Sequence, residues 1–187
     1  MTPISLGIFA SSNFTSPTSY ESIATITVGS GGSSSVDFQN IPATYQHLQI
    51  RIMALPDGGG GNLGIRFNND SGSNYSGHQI QGNGSAAEAN AATSQTSASR
   101  TGLYTDSSIY AAVTVIDILD YANTNKHKTI RALTGQDGNA TGTATAWRVG
   151  LHSGRWGDST AINRITTTGV TFREKTTFAL YGIKGSA

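Results

Sequence analysis

The chain has no cysteine among its 187 residues, which excludes disulfides and thiolate metal sites. Charge is scarce too. Asp, Glu, Lys and Arg make up 12% of the sequence, about half the usual share. Twelve basic residues stand against eleven acidic ones, a formal net charge of +1. Nucleic-acid binding draws on neutralised phosphates and therefore on basic excess, so no nucleic-acid partner is expected. The densest basic stretch, Lys126-His127-Lys128, reads as a solvated turn. Long apolar runs are missing as well. No window approaches the roughly 18 residues of a membrane span, and the first thirty residues lack a basic segment followed by an apolar one. No membrane partner is expected.

Gly, Ser, Thr and Asn occupy the space that charge leaves, with 23 glycines. Disordered chains share that polarity but lack regularly placed β-branched and aromatic residues. Here such residues alternate. Leu48, Ile50 and Ile52 are interleaved with His47, Gln49 and Arg51, the period of a strand with one buried face. Leu63, Ile65 and Phe67 repeat the pattern, as do Trp147, Val149 and Leu151, and Phe178 with Leu180. Ile23–Val28 is rich in β-branched residues. The run from Ala111 to Leu119 is apolar on both faces, which predicts a central strand covered on both sides. Shorter strands are expected at Val36–Phe38, Gln79–Gln81, Thr129–Leu133, Ile162–Thr168 and Val170–Phe172.

Turn residues punctuate these runs at Gly29–Gly32, Asp57–Gly61, Asn68–Gly72 and Asp137–Asn139. About ten short strands so separated predict an all-β, antiparallel β-sandwich, with jelly-roll topology as the expected form. Ala86–Ala98 has helical composition without an apolar stripe and reads as a long loop. The domain division is residues 1–19 and residues 20–187. In the first segment Ile4, Leu6 and Ile8 alternate, followed by Phe9 and Phe14. It reads as the sandwich's first strand or as an arm that adds a strand to a neighbouring subunit.

Catalytic constellations are not found. His152, Ser153 and Asp158 are close in sequence, but no G-x-S-x-G elbow surrounds the serine. Asp117 and Asp120 would point to opposite faces of a strand and read as caps of the turn at Tyr121–Asn125. The four histidines, His47, His78, His127 and His152, have no metal-ligand spacing. Asn68-Asn69-Asp70 lacks the acidic density of a calcium loop. No catalytic, cofactor or metal residue is therefore assigned, and the chain is read as non-enzymatic. Trp156, in Ser153–Gly157, reads as a buried anchor, with glycan contact as the alternative were it exposed.

Several segments carry a resemblance. They are Tyr20–Thr25 running into Gly29–Gly32, Ile41–Arg51, Ile65–Asn68 leading to Gly72–Tyr75, Ile116–Lys126, and Phe178–Gly185. Together they resemble a family of small virion structural proteins of tailed phages, including phages of cyanobacteria. The likeness spans Tyr20 to Gly185 and leaves the first segment outside. It implies a place on the particle surface, as a capsid decoration (cement) protein clamping neighbouring capsomers, or as a tail or head fibre or receptor-binding component. It also implies the major capsid protein or another virion protein as partner. A homotrimer is expected, because closed cyclic symmetry is usual and decoration proteins commonly sit on threefold positions. Ile4, Leu6, Ile8, Phe9 and Phe14 would make the clamp.

Overall fold

The computed structural model describes residues 19–55, 57, 61–99, 101, 111–137 and 147–185. Met1–Thr18 lies outside that set, and with it the expected arm residues Ile4, Leu6, Ile8, Phe9 and Phe14. The side chain of Trp147 lies outside it too.

Among the described residues every regular element is a strand. In chain order they are β1 (Tyr20–Thr27), β2 (Asp37–Phe38), β3 (His47–Ala54), β4 (Gly64–Phe67), β5 (Tyr75–Gly82) and β6 (Ala87–Gln95). There follow β7 (Ala112–Leu119), β8 (Lys128–Asp137), β9 (Trp147–Trp156), β10 (Ile165–Thr168) and β11 (Thr177–Ile183). Eight form one sheet in the order β1-β11-β3-β7-β8-β9-β5-β6, and three form a second, β2-β10-β4. All pairings are antiparallel. The all-β, antiparallel sandwich expected from the period-2 runs is the fold. The strands divide eight and three, whereas a jelly roll spreads eight strands over two sheets.

One core holds the sheets together. Leu48, Ile50, Ile52, Ile116, Ile118, Ile130, Phe178 and Leu180 face inward from the large sheet, and Phe38, Ile65, Phe67 and Ile165 come from the small one. Phe172 meets Phe178 edge-on at 4.9 Å, a favoured aromatic geometry. Arg164 grips Asp37 with two bonds of 2.8 and 2.7 Å, and the Thr166 hydroxyl adds a third at 2.9 Å. The Arg164 guanidinium holds the Asp37 carboxyl below its ordinary range, outweighing burial.

Four local expectations need correction. Ala86–Ala98 is no loop, because Ala87–Gln95 forms β6. It lies at the sheet edge with nearly every residue exposed, so no apolar alternation marks it, and its pairing to β5 is carried by backbone. Val170–Phe172 makes only a single bridge, Phe172 to Ser33. Lys126-His127-Lys128 is not simply a solvated turn. Lys128 is fully buried, its ammonium donating to the carbonyls of Asn123, Lys126 (3.2 Å) and Ser159 (2.8 Å). Burial pushes that ammonium below its ordinary pKa. Finally, β7 is central but buried on one face only.

Candidate interaction surface

The half-burial of β7 leads to the feature that sets this surface apart. An antiparallel sheet with one face on the core normally turns polar residues to water. Here the outer face of the large sheet is apolar across its middle. Directly opposed residues share a face, so register gives the rows. Met53, Val113, Gly135, Val149 and Gly82 stand opposite one another in turn. Beside them runs Arg51, Val115, Leu133, Leu151, Ile80 and Ala89. Met53, Ile80, Leu133, Val149 and Leu151 are each more than half exposed, and Val113 nearly so. Val149, Leu151, Leu133 and Ile80 line a shallow groove.

Contiguous apolar surface of this kind marks an interaction site, whereas single exposed leucines need no explanation. Covering such side chains is favourable by about 25 cal/mol per Å² of apolar area. Small residues keep the patch open, since Gly82 and Gly135 stand in its first row.

A polar row bounds the patch. Tyr181, Gln49, Asp117, Arg131, Ser153 and His78 lie in register beside the second apolar row. The charged side chains on and beside it have partners within the chain. Gln49 donates to Asp117 Oδ1 at 2.8 Å, and Arg131 donates to Asp117 Oδ2 at 2.8 Å. Arg51 donates to Gln49 Oε1 at 2.8 Å, with its guanidinium 4.8 Å from the Tyr181 ring centre and 5.5 Å from that of Tyr20. Both distances fall within cation–π range.

The expected turn-capping role of Asp117 is thus corrected, because its carboxylate belongs to this cross-strand row. Asp120 does sit in the turn, with φ of 48°, and its carboxylate takes the Lys126 ammonium. That bond chiefly holds the Asp120 carboxyl below its ordinary value.

The residues tested for chemistry separate in space. His152 points inward and is buried, while Ser153 beside it points outward. Asp158 caps its own turn through the Thr160 amide at 2.7 Å. His47 Nδ1 accepts the Asp120 amide at 2.9 Å, and His127 faces Arg155. Among the described residues no three His, Cys, Asp or Glu side chains gather as metal ligands.

Trp156 is 1% exposed, so the glycan-contact alternative for it is corrected. Its rings lie 5.5 Å from Phe67 and 6.2 Å from Tyr75, and its indole N–H donates to Asp70 Oδ2 at 2.6 Å. No ring face is left for a sugar. Asp70 also accepts from Gly72 and Asn74, each at 2.8 Å, which makes Asn68–Gly72 a turn built around one carboxylate. Burial pushes the Asp70 carboxyl up, but these three bonds outweigh it and hold the group below its ordinary value. Burial likewise pushes the Tyr75 phenol up to about 12.

The expectation that Val149 and Leu151 sit on the buried face of their strand is corrected, because both point outward while His152, between Leu151 and Ser153, points inward. The apolar outer face is hidden in the sequence because β9 turns its aliphatic side out and β7 is hydrophobic on both sides. The available signal was the register partner: Val113, Leu133, Leu151 and Ile80 share one parity on four strands. Comparison with protein-family models, with curated proteins and with solved structures finds no match to this chain.

Proposed function

We propose that the chain is a non-enzymatic structural protein of a tailed-phage particle, a capsid decoration (cement) protein that attaches to the major capsid protein. The observation that carries the building-block reading is the apolar outer face of the large sheet, a surface whose burial in an assembly is favourable. The segments between Tyr20 and Gly185 that resemble tailed-phage virion proteins supply the particle. Met1–Ser19, with Ile4, Leu6, Ile8, Phe9 and Phe14, is the segment we assign to the clamp. The fibre or receptor-binding alternative loses its sugar platform with the burial of Trp156.

Labelled protein imaged on intact particles tests this reading. Label on the head supports cement, label on the tail transfers the chain to the fibre class, and no labelling overturns both. A chain lacking Met1–Ser19 should fold yet lose the particle. Unchanged binding would remove the clamp.

A further inference from the structure

The outer face of the large sheet is the strongest unassigned feature, and its occupant can be named from area and charge. Eight strands at about 4.8 Å spacing and about 3.4 Å per residue present a face on the order of 1,000 Å². A standard interface takes roughly 800 Å² from each partner. The whole face is therefore of the size that one partner contributes to such an interface, with the two apolar rows at its middle and polar residues around them.

Charge then selects among partners. A nucleic acid, an anionic surface or a strongly acidic protein would call for unpaired positive charge beside the apolar rows. Instead Arg131 is held by Asp117, and Arg51 lies between two tyrosine rings and on Gln49. Such a rim holds no cluster of like charge: Arg131 is neutralised by Asp117, and Arg51 is covered by two rings and an amide, so a copy of the same face meets a surface of little net charge. Apolar rows can meet apolar rows while the polar row stays at the margin, as in interfaces with a hydrophobic core and polar rim. Sheets pack well face to face at about 10 Å through interdigitating side chains.

We infer that a second copy of this chain covers the outer face, with Leu133 and Leu151 at the middle of the contact. A face-to-face pair satisfies this, since an isologous twofold contact sets the same face on both partners. The inference deepens the building-block reading but does not depend on the particle being a phage.

Two measurements on the full chain test it. The first is solution mass by light scattering as concentration is lowered, for the native chain and for L133T/L151T, whose threonines suit strands. The native chain should show two copies. The variant should dissociate at a concentration at least about tenfold higher, a loss of roughly 1.4 kcal/mol or more, with an unchanged circular-dichroism spectrum and monomer fold. The second uses the chain's lack of native cysteine. L133C should be joined to itself by a short bismaleimide, and S35C, exposed beside the small sheet, should not.

A native chain that is monomeric at every concentration overturns the inference. So does an oligomer that survives L133T/L151T unchanged, or one that only removal of Met1–Ser19 dissolves. A monomeric chain whose L133T/L151T form loses particle binding overturns self-association and leaves the cement reading intact. A self-associated chain that never labels a particle does the reverse.

Discussion

Trp156 and Asp70, 86 positions apart in the chain, are joined by an indole N–H donating to a carboxylate oxygen at 2.6 Å. The bond ties the end of β9 to the turn after β4, and it closes the aromatic cluster of Phe67, Tyr75 and Trp156. Asp70→Ala should therefore destabilise the domain by about 2 kcal/mol, since it strands three donors that the carboxylate satisfies. Trp156→Ala should cost about 3–5 kcal/mol. Urea unfolding followed by circular dichroism checks both. Any loss of polysaccharide retention in Trp156→Ala should track the unfolded fraction.

Lys128 offers a second lever. Its ammonium satisfies three carbonyls that otherwise end the turn after β7 and the loop after β9. Lys128→Met fills similar volume but leaves those carbonyls without their donor, and the lost desolvation cost of the lysine offsets only part of that. We expect a loss of about 2 kcal/mol, read as a lowered urea midpoint.

Acid should weaken the fold. Asp37, Asp70, Asp120 and Asp158 all have carboxyls held below their ordinary value in the folded chain. In the unfolded chain they titrate near about 3.9. The unfolded state therefore binds more protons in the window below that value, and stability falls as pH falls through the folded pKa values. Above about pH 5 the contribution is complete. Melting temperatures recorded from neutral pH downward should decline in this window, and Asp37→Asn should flatten part of the slope.

Hydrogen exchange should rank the strands. The edge strand β6 has one neighbour and nearly every residue exposed, whereas β8 has two neighbours and alternates buried and exposed residues. Amides of β6 should exchange by local opening well before those of β8, which should approach global stability. Equal protection of the two strands in a dilute monomeric sample would show that β6 is covered in some other way.

Much of this fold was legible in the sequence, for a physical reason that also marks the failures. In His47–Ala54, apolar on one face and polar on the other, alternation gives both the strand and its inward side. In Trp147–Trp156 it gives the strand but not the side, since Val149 and Leu151 face outward and His152 inward. Lys128 escaped because a cation is read as a surface group, although it shares inward parity with Ile130 and Ala132. Ala87–Gln95 escaped because neither of its faces packs. Ala111–Leu119 reads as covered twice because hydrophobicity reports what a side chain prefers, not what stands opposite it. The candidate surface emerges only when four such strands are aligned.

The strand order carries one more consequence, for how the chain reaches this state. β11, the last strand in chain order among the described residues, lies between β1 and β3, and among those residues it is the only strand paired with β1. Until Thr177–Ile183 has emerged from the ribosome, Tyr20–Thr27 lacks the strand with which it pairs. Synthesis therefore carries this strand without its β11 partner for some 150 residues, at several residues per second. Closure by so distant a partner is slow, and a chain stopped short of β11 would keep a sticky edge that the finished protein hides.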